Sequence, residues 1–198
     1  GPNLGIRCHA GRRNVRPSAF VNSAFVTGFG AVKLTAPEIF GVLSASQSAE
    51  ILIWLANHDR PAYRNCASML ATRRKLRPVF VERKPRDEKN QWMQDALTRP
   101  ANADLALEIL QVWTLGNNLA MVAEFLDALA ISHDGKGLID QIPSEPPAEK
   151  VKSAVEALLA HHGVFQVFVY LHLFAGMDEE GWLTLKGLLA THPALAPV

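Results

Sequence analysis

The stretch "VFQVFVYLHLFAG", residues 164–176, decides the fold of this chain. Its β-branched and aromatic residues favour a strand, while its length and its boundaries at Gly163 and Gly176 permit a buried helix. As a helix it sets Val164, Val167, Phe168 and Leu171 on one face, and the opposite side is apolar as well. A helix apolar all round belongs in the middle of a domain. A lone strand here would need pairing partners that the rest of the chain barely offers. The helix reading follows, and with it an all-α domain.

The segments on either side carry helix punctuation. "DEEGWLTLKGLLATHP" sets Trp182, Leu185, Leu188 and Leu189 at helical spacing, and "PPAEKVKSAVEALLAHHG" does the same with Val151, Val155, Leu158 and Leu159. Further back, "NADLALEILQVWTLG" offers Leu105, Ile109, Val112 and Trp113, with Gly116 as the break. "NNLAMVAEFLDALA" follows with an Asn cap and Val122, Phe125, Leu126 and Leu129 inward. Thr35 and Glu38 in "TAPE" form a capping box with Pro37 in the first turn, and Asp59 with Pro61 opens another helix in the same way. That helix turns Cys66, Met69 and Leu70 inward. Asp87 and Glu88 suit the positive end of a helix bearing Trp92, Met93 and Leu97. The expected architecture is a bundle or short stack of antiparallel helical hairpins, seven to nine helices over residues 35–198, with a basic N-terminal arm over residues 1–34. Helix–break–helix units ending in "FLDALA" and "YLHLFA" hint at repetition, although a solenoid needs three or more copies.

The arm has its own composition. Gly1-Pro2 resembles the scar of a cleaved tag, and residues 1–37 hold Arg7, Arg12, Arg13, Arg16 and Lys33 with no acid. Asn22, Gly28 and Gly30 interrupt the apolar run that would otherwise imitate a secretion signal. Cys8 and Cys66 make no disulfide framework, which points to free thiols in a reducing, cytoplasmic compartment. No apolar run reaches the ~18 residues of a transmembrane segment.

Charge is the most unusual feature. The net charge is +1, yet residues 1–100 hold sixteen Lys/Arg against seven Asp/Glu, and residues 101–198 hold four against twelve. The balances are +9 and −8, a split that accompanies polyanion binding or the attraction of two faces within a fold or oligomer. The basic side concentrates in "TRRKLRPVFVERKPR", residues 72–86. Arg73, Arg74, Lys75, Arg77, Arg83, Lys84 and Arg86 form the candidate site for an anionic partner, since guanidinium forks bind phosphate and carboxylate in bidentate fashion. Pro78 and Pro85 bracket "VFVERK", which suggests an extended "VFV" with Phe80 as a core anchor.

Other chemistry fares less well. "SHDGKGLIDQIP" places Asp134 and Gly137 as a calcium loop would, but Ser132, Lys136 and Pro143 stand where ligands are needed. His161 and His162 are adjacent, so they point about 100° apart on a helix and suit its C-terminus better than a metal. His172 reads as a core histidine, with general-base chemistry as the alternative. No nucleophile elbow, phosphate loop or paired-cysteine motif occurs. These observations lead to the expectation of a non-catalytic interaction or scaffold module without cofactor or metal. It would present a basic face to a protein partner, or to its own acidic half in a homo-oligomer. Nucleic acid is a weaker candidate, because the pI of 8.0 is below that of typical nucleic-acid-binding domains. The alternative is a small helical enzyme using His172, or His161 and His162, in a central pocket.

Overall fold

The computed structural model describes residues 33–139, 141–177 and 181–197, and these form ten α-helices and one 3₁₀ turn with no strand. In order they are α1 (Ala36–Val42), α2 (Ala45–His58), α3 (Arg60–Arg73), α4 (Pro78–Glu82) and α5 (Arg86–Leu97). The 3₁₀ turn Pro100–Asn102 leads to α6 (Ala103–Asn117), α7 (Leu119–Ala128), α8 (Ala148–His161), α9 (Val164–Gly176) and α10 (Leu183–Thr191). The all-α architecture is as expected. The one helix beyond the expected range is α4. The N-terminal arm lies almost wholly outside the described residues.

The deciding stretch is α9. Nine consecutive residues, Val167 to Ala175, are buried, so no side of this helix faces solvent over that span. Helices α1, α6, α8 and α10 pack around it. Aromatic rings extend the contact: Phe125 of α7 meets Tyr170 and Phe174 edge-on at 5.6 and 5.3 Å, and Phe174 meets Trp182 at 5.0 Å. Each fully buried side chain of this size contributes ~1.5–3 kcal/mol.

The joints between helices are short because single polar residues serve two elements. Asp59 ends α2 and caps α3, its Oδ1 accepting the Ala62 N–H at 3.1 Å. The boxes at Thr35–Glu38 and Ser44–Gln47 form at the starts of α1 and α2. Helix α10 is capped from a distance: Glu145 Oε1 accepts the N–H groups of Thr184 and Leu185 at 2.8 and 3.2 Å. Those donors would otherwise be orphaned at the helix start.

Four sequence expectations need correction. The "VFV" segment is helical, not extended. Proline restrains only the residue before it, here Arg77 and Lys84, and is itself tolerated in a first turn, so the residues between Pro78 and Pro85 are free to turn. A helix buries one position where a strand would alternate, and that position is Val81, leaving Phe80 61% exposed. Met69 is 40% exposed, although Cys66 and Leu70 of the same helix are buried. Gly116 does not break α6, which runs one residue further. A Cβ there would strike the indole of Trp54, so the glycine permits the close approach of α2.

Truncating Leu171, fully buried in α9, to Ala should cost ~2–5 kcal/mol in urea unfolding. A loss below ~1 kcal/mol would show that α9 is not the centre of the core.

Candidate functional site

The structure disperses the basic stretch. Arg73, at the end of α3, reaches α6 and forms a fork on Asp104, with Nη1–Oδ1 and Nη2–Oδ2 at 2.7 and 2.6 Å. The same guanidinium donates to the carbonyl of Ala101 at 3.1 Å. Its hydrogen bond and charge hold the Asp104 carboxyl down to about 2. Arg74 leans over the Trp92 ring at 6.0 Å from the centroid, which covers one face of the indole. Lys75 adopts φ +56° where α3 ends, and the chain then turns outward through Leu76 and Arg77 into α4. Lys75, Arg77 and Arg83 are exposed and make no ion pair with a described residue. Exposed Leu76, Val79 and Phe80 lie among them.

Lys84 and Arg86 take a different route. They line a cleft of about 750 Å³ with Arg60 and Arg64 of α3 and Lys89 of α5, and Glu82 is the one carboxylate on its wall. Arg60 and Arg64 are one helical turn apart, so both project from the same side of α3. Arg86 and Lys89 are paired in the same way on α5. The wall includes Tyr63, whose hydroxyl donates to Asn90 Oδ1 at 2.7 Å and so ties α3 to α5. Burial raises the Tyr63 phenol pKa, with the Arg86 charge acting in the opposite direction. Lys89 Nζ sits 5.9 Å from the Tyr63 ring centroid and donates to the Glu82 carbonyl at 3.3 Å. Lys84 has only a long contact to Glu88, at 3.6 Å. Arg60, Arg64 and Arg86 form no ion pair among the described residues. Five cations converging on one concavity with a single carboxylate create a positive potential that an anion relieves.

Arg60, Arg64 and Lys89 fall outside the stretch that the charge pattern singled out. Their i, i+4 and i, i+3 spacing with one another or with Arg86 was legible, but nothing local shows that α3 and α5 turn these sides toward each other.

The expectation that the acidic half would neutralise the basic half is met at one point. Among the described residues, Arg73–Asp104 is the Lys/Arg–carboxylate pair that joins the two halves. Other acids are engaged within their own half. Glu124 takes His161 Nδ1 on one oxygen at 2.6 Å and His162 Nε2 on the other at 2.7 Å, fastening the end of α8 to α7. These bonds, that from His161 first, lower the Glu124 pKa. Glu145 caps α10, and Glu156 meets His192 at 3.3 Å.

Of the three histidines considered for chemistry, His172 is enclosed while His161 is exposed. His172 is buried in α9, its ring tilted by 51° against Phe168 at 4.4 Å, and its Nε2 donates to the Leu195 carbonyl at 3.0 Å. It does not line the basic cleft. Burial lowers its pKa against the opposing effect of that hydrogen bond. Cys66 is buried, and burial pushes its thiol up to about 12, which keeps it out of nucleophilic chemistry. Among the described residues no three His, Cys, Asp or Glu side chains are placed to hold a metal ion. None of the described helices is long and apolar enough to cross a membrane. No protein-family model matches the chain, and no curated protein or solved structure is significantly similar to it.

Two pH-dependent outcomes follow from these groups. The Asp104 carboxyl has a depressed folded pKa, so its contribution is complete above the ordinary value near 4 and is lost as pH falls toward about 2. Asp104→Asn should therefore cost ~0.5–1 kcal/mol at pH 7, less in high salt, and the gap to the parent chain should narrow below pH 4. For His172 the neutral form is favoured on folding, so the folded state loses stability as pH falls below the ordinary value of ~6.5. His172→Gln keeps a donor for Leu195 and does not titrate. Its cost relative to the parent chain should be smaller at pH 5 than at pH 8, and a constant gap would mean that His172 titrates normally.

Proposed function

We propose that this protein is a non-catalytic helical interaction module that receives an acidic partner protein in the cleft formed by α2, α3, α4 and α5. The observation that carries this reading is the convergence of Arg60, Arg64, Lys84, Arg86 and Lys89 on one concavity with a single carboxylate. Cations that outnumber their counter-charges in a concavity repel one another, and a partner that supplies anions relieves this. Three of the five are arginines, whose forks match carboxylate geometry. The Tyr63–Asn90 hydrogen bond holds α3 and α5 at a set spacing, so the cations are arrayed in advance of binding and less ordering entropy is lost.

A protein partner is favoured over nucleic acid by the shape and lining of the site. Strand binding uses a charged groove with aromatic platforms for the bases. Here Tyr63 is buried and bonded, Trp92 is covered by Arg74, and Phe80 lies away from the cleft lining. Exposed Leu76, Val79 and Phe80, at and before α4, would add apolar contact to a partner that extends beyond the cleft.

The test compares two triple variants of equal charge. Arg60→Gln, Arg64→Gln and Arg86→Gln remove the cleft cations. Lys75→Gln, Arg77→Gln and Arg83→Gln remove three cations outside it. The probes are a glutamate-rich peptide and a single-stranded oligonucleotide, titrated at low and moderate salt. The cleft variant should bind the peptide at least about tenfold more weakly, while the second variant stays within about threefold of the parent chain. Equal losses in both would reduce the effect to net charge and overturn the site. Oligonucleotide binding tighter than peptide binding, and lost in the cleft variant, would replace the acidic protein with nucleic acid.

A further inference from the structure

Exposed apolar side chains are ordinary where they stand singly along a chain, as Val42, Ile53, Leu107, Val164 and Leu183 do. Leu76, Val79 and Phe80 are different, since they fall together within the span 76–80 and are 42, 41 and 61% exposed. Leu76 precedes α4, and the other two lie in its first turn. Successive residues step about 100° around a helix, so Phe80 and Glu82 stand to either side of buried Val81. Glu82 lines the basic cleft. Leu76, Val79 and Phe80 line neither that cleft nor the small apolar cavity between α6, α7, α9 and the turn that follows α7.

The segment is held at both ends. The Lys75 N–H donates to the Thr72 carbonyl and the Leu76 N–H to the Ala71 carbonyl, each at 2.9 Å, which is the bond pair of a Schellman turn. Lys75 takes the left-handed position of that turn at φ +56°. Beyond it, Val81 fixes α4 to the core. Three exposed cations, Lys75, Arg77 and Arg83, flank the apolar side chains and make no ion pair with a described residue. Arg83 returns to the side of Val79, one turn on, where its N–H bonds the Val79 carbonyl at 3.2 Å.

Area and charge together decide what such a patch fits. Three partly exposed side chains offer on the order of a few hundred Å², against ~800 Å² a side for a standard protein interface. They are too few to hold a protein by themselves. A groove that receives a helix reads anchors over about two turns, and α4 has only five residues. A bilayer surface demands less. Apolar side chains enter its headgroup boundary to ~5–10 Å, and cations beside them meet the anionic headgroups. Each Lys or Arg near an anionic leaflet strengthens binding by about fivefold.

We infer that Leu76, Val79 and Phe80 dock into the surface of an anionic lipid bilayer, with Lys75, Arg77 and Arg83 on the headgroups around them. The contact is peripheral, for none of the described helices is long and apolar enough to cross a membrane. It shares no residue with the basic cleft.

Co-sedimentation of the full chain with vesicles tests this, using phosphatidylcholine alone or mixed with phosphatidylserine. Binding should require phosphatidylserine and weaken as salt is added. Phe80→Ser should weaken it about tenfold, whereas Phe80→Trp, which keeps an interfacial aromatic, should stay within about twofold. Lys75→Gln, Arg77→Gln and Arg83→Gln together should weaken it at least about tenfold. Arg60→Gln, Arg64→Gln and Arg86→Gln together should change it less than about threefold. All the substituted side chains are exposed, and unchanged urea midpoints would show the fold intact. Absence of binding to the mixed vesicles would overturn the inference. Full binding by Phe80→Ser, or equal loss in the two triple variants, would reduce the attraction to charge and overturn the patch as its site. Weaker binding of the glutamate-rich peptide by Phe80→Ser, with no vesicle binding by the parent chain, would give the patch to a protein instead.

Discussion

A helix that is apolar on every side can exist in water only if other elements surround it, and α9 imposes that requirement on the rest of the chain. Its nine buried residues need covering from several directions, and α1, α6, α8 and α10 meet the need while α7 contributes Phe125 to the ring cluster. Burial of this extent also explains why α9 tolerates β-branched residues that lower helix propensity. The loss is a few tenths of a kcal/mol per residue, against ~1.5–3 kcal/mol for each side chain removed from water. The same burial lowers the His172 pKa and sets its Nε2 on the Leu195 carbonyl.

Around this centre the two halves of the chain use charge differently. In the second half carboxylates are structural: Glu124 fastens α8 to α7 through two histidines, Glu145 caps α10, and Asp134 shapes the turn over the apolar cavity. In the first half the cations have little of this employment. Arg73 is tied to Asp104, whereas Arg60, Arg64 and Arg86 form no ion pair among the described residues. Among the described residues, one Lys/Arg–carboxylate pair, Arg73–Asp104, joins the two halves.

The two concavities differ in chemistry. The cleft is large, open and cationic, with the buried Tyr63–Asn90 bond tying α3 to α5 beside it. The cavity between α6, α7, α9 and the turn after α7 is small and mostly apolar. They meet different elements, α2 to α5 in one case and α6, α7 and α9 in the other.

What the sequence determined by itself was local. Caps at Thr35 and Asp59, apolar spacing in α6 to α8 and the all-round apolar α9 each follow from neighbours within one or two turns. The calcium-loop comparison failed on ligand chemistry that is readable residue by residue. What only the tertiary structure decided was which sides of separate helices face one another. It sent Arg73 to Asp104 and away from the cleft, and it brought Arg60, Arg64 and Lys89 to Lys84 and Arg86. It also exposed Phe80 by burying Val81, and placed Gly116 beneath Trp54. The physical reason is that capping and periodicity are fixed by bonds across three or four residues. Convergence of side chains from α3 and α5 depends instead on how the whole core packs.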